Sequence, residues 1–127
     1  VEEVMAGAED ALAGASEVAD DLAANLSYGR RKYLEIARAL AMDPQFLILE
    51  EPAAGLNDTE TAELATFVKQ LNADGLPIML VEHDMNLVMS ICERVVVIAS
   101  GRKIADDVPS VVRNDPVVLE AYLGGDE

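Results

Sequence analysis

Two apolar runs in this 127-residue chain end in groups that could do chemistry. "QFLILEE" closes on Glu50 and Glu51, directly before Pro52, and "LPIMLVEHD" closes on Glu82, His83 and Asp84. Charges resist burial, so packing alone does not put adjacent carboxylates at the end of a buried run. Neighbouring side chains on a strand point to opposite faces, so Glu50 and Glu51 can hold separate jobs. One can face a metal–phosphate group while the other faces an attacking water; a solvated strand end is the plain alternative. His83 reads either as a hydrogen-bonded residue at a helix start or as an imidazole set against a developing phosphate charge.

A third candidate lies upstream, in "NLSYGRRKYLEIARALA". Ser27, Tyr28 and Gly29 open a helix whose first turns carry Arg30, Arg31 and Lys32. Unpaired backbone N–H groups and the helix dipole favour an anion there, and Gly29 leaves room for a phosphate to come close. An ordinary Ser N-cap has the same appearance.

The elements that must position these groups follow from periodicity and punctuation. Residues 1–24 are Ala-rich with apolar residues near helical spacing, weakened by Gly7 and Gly14. A helix is predicted from Ser27 to about Met42, stopped by Pro44. "QFLILE" and "LPIMLVE" read as strands buried on both faces of a parallel sheet, and "RVVVIA" as a third. Asn57 with Glu60 forms a capping box for a helix running to about Asn72, with Gly75 near its end. Asp84 caps a short helix through Cys92, and Ser100-Gly101 turns a hairpin into "RKIADD". In the tail, Ser110 and Asp115 are expected as caps, with Pro116 at a first helical position. Strand, helix, strand, helix, strand is the α/β order of a parallel sheet, whose ligands bind at the carboxyl ends of the strands.

Composition narrows the classes. The net charge is −15, from 24 acidic and 9 basic residues, which leaves little for a nucleic-acid footprint, so no nucleic-acid partner is expected. One cysteine, Cys92, and one histidine, His83, make neither a disulfide nor a zinc site of the usual ligand count. No apolar run approaches the roughly 20 residues that span a bilayer. The start "VEEVMAG" lacks the pattern of a signal peptide and begins without Met, as expected of a chain that starts partway through a longer protein.

Together, "NLSYGRRKYLEIARALAMDPQFLILEEPAAGLN" and "IMLVEHDM" resemble the ATP-binding subunits of ABC transporters. Signature loop, Walker B strand, D-loop and switch histidine follow in the family's order. The tail "GRKIADDVPSVVRNDPVVLEAYLG" is similar to that of the branched-chain amino acid importer group. The resemblance implies an incomplete P-loop NTPase domain: α/β, a parallel sheet with flanking helices, then a hairpin and short helices. It implies a remnant of the helical subdomain with the signature helix over 1–42. The C-terminal part of the ATPase core then covers 43–107, and a helical tail covers 108–127.

By position, the resemblance makes Ser27, Tyr28 and Gly29 the signature loop on the γ-phosphate of ATP held by the opposite subunit of a dimer. Glu51 becomes the general base or the group that polarises the attacking water, Glu50 the Walker B acid supporting Mg²⁺, and His83 the switch residue on the γ-phosphate. Ala54, Gly55, Leu56 and Asn57 become the D-loop at the dimer interface. ATP and Mg²⁺ are the implied cofactors, and a second ATP-binding subunit and transmembrane permease subunits the implied partners. The implied location is the cytoplasmic face of the plasma membrane.

The departures are equally specific. No G-x-x-x-x-G-K-[ST] occurs, so the phosphate-cradling loop is absent from these residues, as is the family's P-loop strand. Glu50 stands where Asp is usual, and Arg30 where Gln is usual. Two functions stay open: the C-terminal part of an importer ATPase that is inactive alone, or a non-catalytic truncated cassette that docks on a complete one through its signature face.

Overall fold

The computed structural model describes residues 27–123. The helical reading of residues 1–24 and the end of the tail at Gly124 lie outside them. The chain divides into two compact units between His83 and Asp84.

In the first unit, helix α1 spans Tyr28–Leu40, capped by Ser27 as its sequence predicts. Strand β1 is Leu47–Glu50, helix α2 is Asp58–Ala73, and strand β2 is Ile78–Val81. The Asn57–Glu60 capping box forms in full: Glu60 N–H donates to Asn57 Oδ1 at 2.8 Å, and Asn57 N–H donates to Glu60 Oε2 at 3.0 Å. Gly75, at φ 104°, follows the end of α2. Its left-handed backbone is the conformation for which a glycine costs least. β1 and β2 pair in parallel, Leu47 with Ile78 through Glu50 with Val81, so their carboxyl ends are level. The Tyr33 and Phe67 rings, 5.4 Å apart, join α1 to α2. Burial, followed by the charges of Glu63 and Glu60, raises the Tyr33 phenol above its usual range.

The strands were expected to be buried on both faces, and they are not. Leu47 and Leu49 are buried, while Ile48 is 59% exposed. On β2, Met79 is 50% and Val81 41% exposed. The period-2 pleat puts Ile48 and Glu50 on one face and Leu47 and Leu49 on the other, and the described residues cover only the second.

The second unit holds helix α3 (Met85–Ile91), strands β3 (Val95–Ala99) and β4 (Arg102–Asp107), and helices α4 (Pro109–Val112) and α5 (Pro116–Leu123). Asp84 caps α3 by accepting from Leu87 N–H at 3.1 Å. β3 pairs antiparallel with β4 through the expected Ser100-Gly101 hairpin; it was also expected as a third parallel strand, but among the described residues the two pairs are separate sheets. The tight turn explains this choice, since closing a two-residue loop costs little chain entropy. Ser100 and Gly101 both have positive φ, 49° and 73°, which matches the twist of a tight hairpin. β4 carries an irregularity at Ile104, because Val97 faces Ala105 while Ile98 faces Lys103.

α4 and α5 pack on β4, around a core of Val95, Val97, Val112 and Val118. The tail departs from expectation at one cap. Ser110 lies inside α4, whose N-cap is Val108 with no side-chain bond and Pro109 at the start. Proline's fixed φ opens that helix without a capping side chain. Pro116 does begin α5, and Asp115 Oδ1 accepts from Val117 N–H at 2.9 Å.

Candidate functional site

The parallel register delivers Glu51 and Glu82 as the first residues beyond β1 and β2. Glu51 N–H donates to Val81 C=O at 2.7 Å, extending the ladder by one bond. The chain then reverses: Glu51 has φ 46°, and its carbonyl accepts from Ala54 N–H at 3.1 Å. A non-glycine residue in that region costs about 1–2 kcal/mol. The strained residue is the acid predicted to face the water, and strain of this kind gathers at functional sites.

His83 Nδ1 lies 3.3 Å from Glu51 Oε1 and 3.3 Å from Glu82 Oε1. The ring and Glu51 are open to solvent, at 75% and 56% exposure, whereas the Glu82 side chain is 1% exposed. The structure thus brings Glu51 and His83 together across residues far apart in the chain. Glu50 takes no part in this contact: it lies on the exposed face of β1 with Ile48. Glu50 is the last residue of β1, whereas Glu51 already stands in the left-handed backbone beyond it, and this separates the two.

Among the described residues, no three His, Cys, Asp or Glu side chains converge to hold a metal ion. A single carboxylate fits Mg²⁺ only where phosphate oxygens and waters complete its shell, which is the usual way this ion is bound.

At the start of α1, Ser27 Oγ accepts from Arg30 N–H at 3.3 Å, and the Ser27 carbonyl accepts from Arg31 N–H at 3.0 Å. The serine hydroxyl keeps its own hydrogen to donate. Lys32 Nζ sits 5.4 Å from the centre of the half-exposed Tyr28 ring.

Two successive turns, closed by Ala54 N–H on Glu51 C=O and Leu56 N–H on Ala53 C=O, both at 3.1 Å, carry the chain through Gly55 to Asn57, the N-cap of α2. Gly55 has φ 78°, and a Cβ there would meet Tyr28 Cε1 at 2.7 Å. Behind Gly29 lies the Glu60 carboxylate, 3.4 Å from where a Cβ would sit. Two glycines therefore let the Ser27–Gly29 loop lie directly on the Ala54–Asn57 turn and on the capping box that follows it. Sequence reasoning missed this contact and gave Glu82 no role. The available signal for Glu82 was an acid beside a histidine at the end of an apolar run.

Residues 2–54 match the ABC transporter family model, and residues 102–127 match the model of the branched-chain amino acid ATP-binding cassette transporter. The chain belongs to the ATP-binding cassette family of ABC transporters.

This cassette is 46% identical over 112 residues to the high-affinity branched-chain amino acid transport ATP-binding protein LivG of Escherichia coli, covering 87% of the chain and 44% of the relative. It is 44% identical over 110 residues to BraF of Pseudomonas aeruginosa, a protein of the same description, covering 86% and 43%. The chain thus spans less than half the length of these relatives. Among solved structures, the ADP conformation of an ATP-binding cassette of an ABC transporter superposes with a TM-score of 0.82 at 30% identity, covering 98% of this chain and 51% of that one. The likeness bears out the α/β cassette fold that the residues implied.

Proposed function

We propose that these residues are the C-terminal part of an ATP-binding subunit that couples ATP hydrolysis to import of branched-chain amino acids or similar solutes. The observation that carries this reading is the pairing of Glu51 with His83 at the ends of a parallel strand pair, in a chain that also holds "LSYG". The subunit works as a dimer with a second ATP-binding subunit, beside transmembrane permease subunits at the cytoplasmic face of the membrane. Among the described residues no helix is long and apolar enough to cross the membrane itself.

Catalysis in such a site is mainly positioning and charge stabilisation. Glu51 polarises the attacking water and takes up its proton, and His83 contacts the γ-phosphate. Glu50 supports Mg²⁺, which when bound neutralises charge on the β- and γ-phosphates. Ser27, Tyr28 and Gly29 meet the nucleotide of the opposite subunit with the serine hydroxyl and the helix N-terminus. Ala54, Gly55, Leu56 and Asn57 lie at the dimer interface, and Tyr28 packs on Gly55 between the two loops. Because the phosphate-cradling loop is not among these residues, hydrolysis is assigned to the complete cassette and not to this segment alone.

The test joins the chain to an upstream segment bearing that loop and compares Glu51→Gln with the parent. Mg-ATP should still bind, while turnover falls by about 10²-fold or more. Turnover near that of the parent would remove Glu51 from the assigned role.

A further inference from the structure

The mechanism above leaves one buried charged side chain without a task. Glu82 ends β2 with its carboxylate almost wholly out of solvent, 1% exposed. A carboxylate in such a place is costly unless donors surround it. Two backbone donors do so here. Ala53 N–H, in the loop after Glu51, donates to Oε2 at 3.3 Å, and His83 N–H donates to Oε1 at 3.0 Å. Oε1 also lies 3.3 Å from His83 Nδ1, the ring nitrogen that faces Glu51.

We propose that Glu82 is a positioning residue, which ties the loop after Glu51 to the His83 backbone and fixes the face that the His83 ring turns outward. Both oxygens nearest Nδ1 belong to carboxylates, and Glu82 is already accepting from two N–H groups. With both carboxyl groups ionised, the ring nitrogen between them carries a hydrogen, whatever the charge of the ring. That commits Nδ1 to the protein and leaves Nε2 as the nitrogen that can meet a ligand. A second contact beyond the metal or nucleotide groups is the general way such a ring is held in one orientation. The consequence for hydrolysis rests on the assignment of His83 to the γ-phosphate; the placement of the ring hydrogen does not.

The test uses the 127-residue chain without nucleotide, so its outcome is separate from that of the Glu51 experiment. His83 is the only histidine, so long-range proton–nitrogen NMR reads its ring without ambiguity. In the wild type Nδ1 should carry the hydrogen, and the Ala53 and His83 amides should exchange slowly. Glu82→Ala should speed both amides by about tenfold or more, as expected for loss of charge-assisted hydrogen bonds. Glu82→Gln keeps the size and one carbonyl acceptor, so it should restore part of that protection. Its amide can donate toward the ring, however, so a population with bare Nδ1 and protonated Nε2 should appear. Glu93→Gln, in the second unit, should change neither readout. A wild-type ring with bare Nδ1 overturns the proposal. So does a ring unchanged in Glu82→Gln, because Glu51 would then orient the imidazole alone; if Glu82→Ala does not fold, these two measurements decide.

Discussion

Residues 27–83 and residues 84–123 each pair two short strands, and use the pair differently. In the second unit the strands are neighbours in sequence. A two-residue turn joins β3 to β4, and the pair closes on its own valine core with α4 and α5. In the first unit the strands are joined by a helical crossover, which brings Glu51 to Glu82 and His83. Three non-glycine residues lie in the left-handed region, Asp43 and Glu51 in the first unit and Ser100 in the second. At Ser100 the hairpin geometry demands it, and at Glu51 it turns an acid toward His83. The hairpin is a scaffold made by local contacts, and the parallel pair is where distant groups meet.

The largest expected difference tests where each unit's stability lies. Leu71, fully buried in α2, and Val118, fully buried in α5, are equivalent targets. Leu71→Ala should cost about 2–5 kcal/mol, and Val118→Ala, which removes less apolar volume, about 2 kcal/mol. Chemical denaturation measures both. Equal costs would mean that the first unit relaxes around the cavity.

Gly55→Ala should cost at least the 1–2 kcal/mol or so of forcing a side chain into the left-handed region, and more because the new methyl meets the Tyr28 ring. In a Tyr28→Ala background the second part should disappear. Additive costs would break the link between the two loops.

Glu51 and Ser100, two of the three left-handed non-glycine residues, give a sharper contrast. Ser100→Gly should stabilise the hairpin by about 0.5–1 kcal/mol, the left-handed penalty less the entropy of the extra glycine. Glu51→Gly should relieve similar strain but abolish turnover in the complete cassette. If Ser100→Gly destabilises, the hydroxyl contributes to the turn.

The smallest effect concerns the hairpin surface. Arg94 Nε meets Asp106 Oδ1 at 2.7 Å, and Lys103 Nζ meets Oδ2 at 3.1 Å. The hydrogen bond from Arg94, then that from Lys103, lowers the Asp106 carboxyl below its usual range. A lowered folded-state value stabilises above the unfolded value, and that contribution is lost as pH falls through the folded one. Acid titration should therefore show a slope below the usual carboxylate range that Asp106→Asn removes. Solvent screening keeps it small.

Much of the framework was determined by the sequence itself, because its signals act over a few residues. Ser27, Asn57 with Glu60, and Asp84 begin helices wherever the chain goes, since each satisfies N–H groups within a turn of itself. Ser100-Gly101 closes a hairpin for the same reason. The residue types at Glu50, Glu51 and His83 were equally legible, being chemistry at the ends of apolar runs. Ser110 misled because a Pro at the first helical position made its capping role unnecessary.

Only the tertiary structure decided which face of each strand the described residues cover, because strands apolar on both faces carry no alternation to read. It also decided that, among the described residues, the β3–β4 hairpin forms a sheet separate from β1 and β2. It alone set Glu51 beside His83 and Tyr28 against Gly55, since those distances depend on register and packing between segments that the chain separates by tens of residues.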